Sequence, residues 1–504
     1  MQINRKKTFS LAVPLFALAF TASAFAQHRG DNLAFQGLDF ANRNGVKATA
    51  MGGAFTAASG ELESVFWNPA GLVGISGIQF TANFNSSENL WRERQDYRPN
   101  RQVVTLAFIL DGLYTPNPEF NGVIDNDAFF DDSTYIVNDP VLGQDNYSEE
   151  AADWQKELDQ SGFSNFALAA PFKLGKKDFV ASVGYNRQIV VSNYDRNQTH
   201  TVPHLAWDGY GDLPSRVVGA GDTVRVTWSD FERQRTGPLS SFTAAVAAAP
   251  MKRLQVGLSM NRLSGTTQDF QALNRVGYFD LFDGIQIYSF TYDTLNARTS
   301  GESEFSATEI NLGFLFKFDK LSIGASLKPG YTINRNWSYS TTTADANSNS
   351  TQQSSGEDKL DVPFSFSAGL HLQPHENFGI ALDLERRPYG SADFSFRTND
   401  ETHRDWVDQT SFRAGVEFRP FSRLALLGGY RSIPQVFIPD GAADLEKGPV
   451  SNAYTFGLSL FALFGRFDFA YEIQRLKYYD VYFSNTNWAF ERLEYLRAGY
   501  TFML

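Results

Sequence analysis

The sequence predicts an all-β protein, a transmembrane antiparallel β-barrel of about 14 strands, and three observations carry that prediction. An export signal opens the chain, hairpins of strict period two recur along it, and the connections between strands alternate between tight and long. The composition agrees. The 504 residues include no Cys and six His, the formal net charge is -12, and the mean hydropathy is -0.30. Without Cys there is no disulfide scaffold, thiolate metal site, Cys nucleophile or lipidated N-terminal Cys. The acidic balance argues against a nucleic-acid surface, which needs a basic patch. A mean hydropathy this low excludes a bundle of membrane helices, yet it suits a barrel whose apolar residues alternate with polar ones.

Residues 1–26 read as a cleaved export signal. Arg5, Lys6 and Lys7 form its positive region, Leu11 to Phe20 its apolar region, and Ala24, Phe25 and Ala26 its cleavage site. No later stretch offers about 18 consecutive apolar residues, so nothing beyond the signal is expected to span a bilayer as a helix. Residues 27–77 precede the first strand and lack any clean period. Within them Gly52 and Gly53 supply unusual backbone angles, and Asn68 followed by Pro69 suits a helix start, with Asn capping free N–H groups. So short and glycine-rich a segment cannot bury a core by itself, and we expect it to pack inside the barrel as a hatch. Residues 78–504 form the barrel.

Its first strand shows Ile78, Phe80, Ala82 and Phe84 on one face. Six hairpins follow. Residues 163–172 turn into Phe179 to Tyr185, Phe242 to Ala248 into Leu254 to Met260, and Ile310 to Phe318 into Leu321 to Leu327. Val362 to Leu372 turn into Phe378 to Leu384, Phe412 to Phe418 into Leu424 to Tyr430, and Tyr454 to Phe464 into Phe467 to Ile473. Leu496, Ala498, Tyr500, Phe502 and Leu504 share one face of a last strand, which we expect the barrel-assembly machinery to recognise. A soluble sandwich also alternates, but it has no reason to sort connection length by end. Phe172, Phe179, Phe318, Phe378, Phe418, Phe421, Phe464 and Phe467 crowd the tight turns, as an aromatic girdle at a membrane interface would.

Other segments carry weaker expectations. Val103 to Leu110 is apolar on both faces and reads as an external or luminal strand. The acidic residues from Glu119 to Asp145 read as a solvated loop, Ca²⁺ binding being the minor alternative. Tyr147 to Gln160 predicts a helix with Trp154 and Leu158 on one face. Residues 195–236 and 268–300 suggest strands prolonged beyond the membrane, and the Ser/Thr/Asn/Gln-rich residues 338–358 a loop tip. Luminal charges of both signs, among them Glu309, Asp383, Glu385, Arg413, Glu417 and Arg431, suggest pairing with the hatch rather than a one-sign selectivity ring. His371 and His375 flank a turn without convergent metal ligands. With no phosphate loop, nucleophile elbow or H-E-x-x-H, neither an enzyme nor a cofactor is expected.

Met51 to Phe55 (MGGAF), followed by Phe66 to Leu72 (FWNPAGL) and then a barrel, resembles the FadL-type outer-membrane transporters of long-chain fatty acids and other hydrophobic compounds. The resemblance covers the whole mature architecture. It implies a multi-pass barrel in the outer membrane, surrounded by outer-membrane lipid and plugged by its hatch. Substrate would be caught among the external loops, pass to a pocket beside the hatch, and leave sideways at a kinked third strand. On the matching positions it places Phe66, Trp67, Asn68, Pro69 and Ala70 at the exit, Gly52 and Gly53 in hatch packing, and a possible kink at Gly184. A branch of the same superfamily comprises channel-free scaffolds for protein secretion, and that is the alternative function.

Overall fold

The computed structural model describes residues 44–97, 145–175, 177–205, 223–282, 288–345, 347–394, 406–439, 442, 444–462, 464–481 and 485–504. The export signal, residues 27–43, Val103 to Leu110 and the acidic loop up to residue 144 lie outside them. The strands are β1 (Gln79–Tyr97), β2 (Trp154–Leu174), β3 (Lys177–Leu205), β4 (Thr223–Met251), β5 (Leu254–Phe282), β6 (Tyr288–Lys317), β7 (Leu321–Lys328), β8 (Tyr331–Asp345) and β9 (Asn349–Val362). There follow β10 (Ser365–His375), β11 (Phe378–Arg387), β12 (Asp393–Phe394), β13 (Gln409–Phe421), β14 (Leu424–Pro434), β15 (Val450–Ala462), β16 (Gly465–Val481) and β17 (Asn485–Met503).

These 17 strands make fourteen staves, because β7 with β8, β9 with β10, and β11 with β12 are each one stave interrupted partway. A proline stands at each interruption, Pro329, Pro363 and Pro388, and a residue without an N–H cannot donate to a ladder. All neighbours are antiparallel, and β1 closes on β17 in unbroken register from Gln79 opposite Met503 to Tyr97 opposite Asn485. Closure leaves no sheet edge in lipid.

Alternation sorts the side chains. Phe412, Val416 and Phe418 are exposed on the outside, while Arg413 and Glu417 between them are buried in the lumen. The same holds on β14, where Leu426 is exposed and Arg431 is fully buried. The exposed apolar residues form a belt of about ten residues per stave, the length needed to cross a bilayer, and the tight turns at its lower rim carry Phe421 and Phe464 with 71% and 82% exposure. Phe172 stacks on Phe179 there at 5.5 Å.

Above the belt the wall is uneven. Strands β3, β4 and β5 run 29 residues each and β6 runs 30, whereas β14 has 11 and β15 has 13. The strand pieces expected in residues 195–236 and 268–300 are therefore upward continuations of barrel strands. Two expectations are overturned. Tyr147 to Gln160 is not a helix: from Trp154 onward it is β2. Trp154 and Leu158 share a face because a spacing of four also satisfies period two. Residues 338–358 are no loose tip either. They form the β8–β9 hairpin in register from Tyr331 opposite Val362 to Ala344 opposite Asn349. Thr and Ser suit a pleated strand as readily as a loop, and Thr342 and Thr351 meet across it at 3.2 Å.

The segment from Asn44 to Gly77 lies inside the lower barrel. It holds one short helix, α1 (Val46–Ala50), and two single 3₁₀ turns, Leu62–Phe66 and Pro69–Leu72. Its seat is a collar of inward-facing barrel glycines. A Cβ on Gly415 would meet the Met51 carbonyl at 2.5 Å, and one on Gly257 would run into Pro69 and the Ala70 backbone. Gly257 and Gly313 face each other on β5 and β6, and Gly415 and Gly429 on β13 and β14. Hatch backbone thus lies directly on barrel backbone. In the hatch itself Gly52 and Gly53 adopt φ of 67° and 78°, and a Cβ on Gly52 would sit 2.7 Å from the Tyr430 nitrogen. Gly257→Val or Gly313→Val should therefore unseat the hatch at a cost of about 1–3 kcal/mol while the barrel still assembles. We expect raised conductance in planar bilayers, with normal heat-modifiable migration on gels.

Candidate functional site

Polar contacts lock the hatch into this seat. Asp383 Oδ2 accepts the backbone N–H groups of Phe55 and Thr56 at 2.8 Å each. Thr455 donates to the Ala50 carbonyl at 2.9 Å, and the Arg413 guanidinium lies 5.3 Å from the Trp67 ring while pairing with Glu385. Lys47 bridges Glu61 at 2.6 Å and Glu417 at 3.1 Å, and Arg466 reaches Glu61 at 2.9 Å. Glu63 accepts the N–H groups of Val46, Lys47 and Ala48, closing the start of α1 from seventeen residues away. The luminal charges of mixed sign are spent on the hatch and on one another.

The exit residues anticipated from the sequence separate into two groups. Asn68 caps its turn through Oδ1, which accepts from Ala70 N at 3.1 Å, with Pro69 at the first position. Its Nδ2 donates to the Thr56 carbonyl at 2.6 Å and to Phe314 on β6 at 3.1 Å. Asn68, Pro69 and Ala70 thus sit against β5 and β6, where the ladder is continuous. The Trp67 carbonyl accepts from Asn311 at 3.0 Å and Ser326 at 3.2 Å, and its indole N–H donates to the Asn44 carbonyl at 2.8 Å. Phe66 points the other way. Its ring lies against Gly184 on β3, where a Cβ would approach it to 3.1 Å.

That direction leads to a seam whose ladder stops short. The β2–β3 pairing runs from Leu174 opposite Lys177 only as far as Asn165 opposite Asn186, two residues beyond Gly184. Higher up, β2 stays with β1 as far as Trp154 opposite Glu93, and β3 stays with β4 after a bulge between Arg187 and Ile189. The two sheet edges overlap there. Tyr194 belongs to the outer face of β3 and donates to Glu232 of β4 at 3.0 Å. Its ring nevertheless packs on Trp154 at 5.4 Å and Trp91 at 6.1 Å, which lie on the inner face of β2 and β1. Lower in the lap, Arg187 faces Gly162 of β2, where a Cβ would stand 3.2 Å from the guanidinium. The seam is a lap joint, with β3 tucked under β2.

A small cavity adjoins the foot of this lap above the hatch. Phe66, Asn44, Asn186, Tyr331, Val362 and Tyr389 are among its walls, along with the pairs Lys328–Glu309 at 3.1 Å and Arg387–Glu385 at 2.8 Å. The proline interruptions of the staves fall at the same level, beside Lys328, Val362 and Arg387. Over the cavity lies an apolar cluster in which Leu239, Phe305, Ile333 and Leu360 from the wall meet Tyr389 and Trp406, carried inward from between β11 and β13. Outside, at the foot of the lap, five rings run across β1 to β4: Phe84 to Phe163 at 5.5 Å, Phe163 to Phe166 at 6.2 Å, Phe166 to Tyr185 at 5.8 Å, and Tyr185 to Phe242 at 5.2 Å. Sequence reasoning found Phe66 and Gly184. It did not mark Asn186, Arg187 or Tyr194, and it set Trp154 on a helix rather than a strand, since nothing in local periodicity marks a strand that slides beneath its neighbour.

Below the hatch a second cavity opens among Lys47, Glu61, His371 and Glu417. His375 accepts from the Asn377 N–H at 3.3 Å, and no group of three His, Asp or Glu converges as metal ligands among the described residues.

A closed fourteen-stave barrel with an apolar outer belt and a luminal hatch defines an outer-membrane β-barrel architecture. More particularly, the fold is that of the FadL-type proteins. A FadL homologue of Pseudomonas aeruginosa superposes with a TM-score of 0.57 at 10% identity, over 92% of this chain and 99% of that one. The toluene transporter TodX of P. putida gives 0.51 at 13% identity over 91% and 98%. The monoaromatic hydrocarbon channel CymD gives 0.51 at 11% over 92% and 97%. No family model matches the sequence, and no curated protein compared with it matches by sequence.

The charge lock has a pH signature. Burial alone would raise Glu61, but Arg466 and Lys47 beside it hold its carboxyl down at about 2. A depressed folded value means that the Glu61 contribution is complete above the ordinary carboxylate range and is lost as pH falls from about 4.5 toward 2. Channel conductance should stay low between neutrality and about pH 5 and rise on further acidification. Glu61→Gln should be leakier at neutral pH and show a smaller acid-dependent rise, which single-channel recordings across pH would reveal.

Proposed function

We propose that this protein is a passive outer-membrane channel for hydrophobic compounds, long-chain fatty acids or similar molecules, gated by its hatch and releasing them sideways into the membrane. The observation that carries this reading is the juxtaposition of cavity, Phe66 and lapped seam. Asn186 and Phe66 line the cavity, and the adjacent β2–β3 seam has no ladder to break above Asn165 and Asn186. Through a continuous ladder, such as β1–β17 or β4–β5 at the hatch level, a sideways exit would have to rupture strand hydrogen bonds in lipid, where freed backbone groups find no partner. The five outer rings offer apolar surface at the point of release.

The hatch segment Phe66 to Ala70 then divides its labour. Asn68, Pro69 and Ala70 anchor it to β5 and β6, and Phe66 stands as the door leaf beside Gly184. The toluene transporter and the monoaromatic hydrocarbon channel of the same fold support an apolar cargo, and the export signal read in residues 1–26 delivers the chain across the inner membrane.

Bridging the lap tests the route. The chain contains no Cys, so Trp154→Cys with Tyr194→Cys can be joined by a short bis-maleimide without background labelling. Uptake of a labelled fatty acid by cells expressing the bridged protein should fall about tenfold, whereas the unbridged pair should transport, and Phe66→Ala should transport faster than wild type. Ala70→Trp, which drives a large ring into the Gly257 seat, should abolish uptake or leave an ion leak, according to whether the displaced hatch blocks the lap. Unimpaired uptake by the bridged protein would rule out the lateral route. Absence of uptake by wild type would favour the secretion-scaffold reading.

A further inference from the structure

We propose that the outer surface of β16, β17 and β1, just above the apolar belt, holds the phosphorylated sugar head of an outer-leaflet glycolipid, with Arg475 and Lys477 contacting its phosphate. This face lies outside the barrel and plays no part in the route that cargo takes.

Strand register sets the layout. On β16 the outward residues rise from Phe469, Tyr471 and Ile473 to Arg475, Lys477 and Tyr479, so the cations stand one and two steps of about 7 Å above the last apolar residue. Arg475 is opposite Arg492 of β17, and Lys477 is opposite Phe490, which in turn faces Arg92 of β1. Arg92 lies 4.1 Å from the centre of the Phe490 ring and Lys477 5.8 Å. Four cations thus share two neighbouring levels of one face, and two arginines directly opposite each other on adjacent strands repel.

The carboxylates nearby answer only part of this repulsion. Arg492 pairs with Glu88 at 2.7 Å and Glu494 at 3.1 Å, and Glu494 also accepts the Tyr471 hydroxyl at 2.7 Å. Arg475 is exposed, and its side chain has no ion pair or hydrogen bond among the described residues. The outward arginines Arg386 and Arg262, by contrast, have Asp408 and Thr308. Lys477 meets Asp145 at 3.3 Å, a contact between exposed groups that an incoming phosphate displaces at little cost. Glu149 and Glu150 lie on the Arg92 side, which confines an anion to the Arg475 side. A guanidinium with an ammonium beside it suits the geometry and charge of a phosphate. Tyr479, 45% exposed, continues the row four residues beyond Arg475, about 14 Å along the strand. One phosphate does not cover that length, whereas a phosphorylated disaccharide does, with a sugar face against the Tyr479 ring.

The test uses the full-length protein in detergent, with bound lipid counted by native mass spectrometry. Bisphosphorylated lipid A should bind with a Kd about tenfold lower than lipid A stripped of both phosphates, the difference expected from charge-assisted contacts. Arg475→Gln combined with Lys477→Gln should erase that difference, and Arg475→Lys alone should retain part of it. Arg262→Gln, which removes an outward cation from β5, should retain all of it. Arg475 and Lys477 are exposed, so the variants should fold, which heat-modifiable migration checks. Phosphatidylglycerol, with one phosphate and no sugar, should bind no better than stripped lipid A. Equal affinity for the two forms of lipid A, or an unchanged difference in the double variant, would overturn the proposal. An equal loss in Arg262→Gln would overturn it too, by showing that any outward cation serves. Phosphatidylglycerol that binds as tightly as bisphosphorylated lipid A would overturn the assignment to a glycolipid.

Discussion

The backbone hydrogen-bond ladder is the constraint on which this molecule depends. In hydrocarbon every N–H and C=O must find a partner within the protein, and the chain meets that demand by pairing β1 with β17 along their full length. Four departures from regular pairing then carry meaning. Three are the proline interruptions, which fall beside the cavity where luminal side chains and water can serve the freed groups. The other is the β2–β3 lap, which begins at the top of the apolar belt. A ladder can stop there at modest cost, since its upper strands leave hydrocarbon within a few residues.

The hatch obeys a different constraint. A barrel of fourteen staves has an interior too narrow for a conventional domain with its own core, so the hatch borrows the wall as its core. Glycine on the wall lets backbone meet backbone, and carboxylates such as Asp383 and Glu63 take N–H groups that a longer helix or sheet would have satisfied internally. The plug is consequently specific without being very apolar. Its hold is shared between close packing, lost by adding a single Cβ, and a charge triad of Lys47, Glu61 and Arg466, which responds to acid.

Much of the barrel was legible in the sequence because alternation is a local rule. Phe412 to Phe418 announces both faces of a strand by itself, and all fourteen spanning segments could be placed from such runs. Two misreadings share a cause. In Tyr147 to Gln160 and in residues 338–358 the composition was polar, and without apolar contrast a period of two cannot be told from a helix or a loop. The functional site was legible only in part. Asn68 and Pro69 announced a cap, and Phe66 and Gly184 could be singled out, but their partners could not. Periodicity states which face of its own sheet a residue occupies. It does not say that the outer face of Tyr194 will lie beneath the inner face of Trp154, because that depends on where two distant edges slide past each other.

The position of the hatch in the chain also has a kinetic consequence. It immediately precedes β1, whose partner β17 follows every other described strand in the chain, and its glycine seats lie on β5, β6, β13 and β14. Those seats do not exist until the later strands have paired, yet the hatch must be inside before β1 and β17 zip together. Plugging and closure are therefore one late event of very high contact order. A barrel that closed early would have its hatch stranded outside, so the slow step of assembly also ensures that no open pore is released into the membrane.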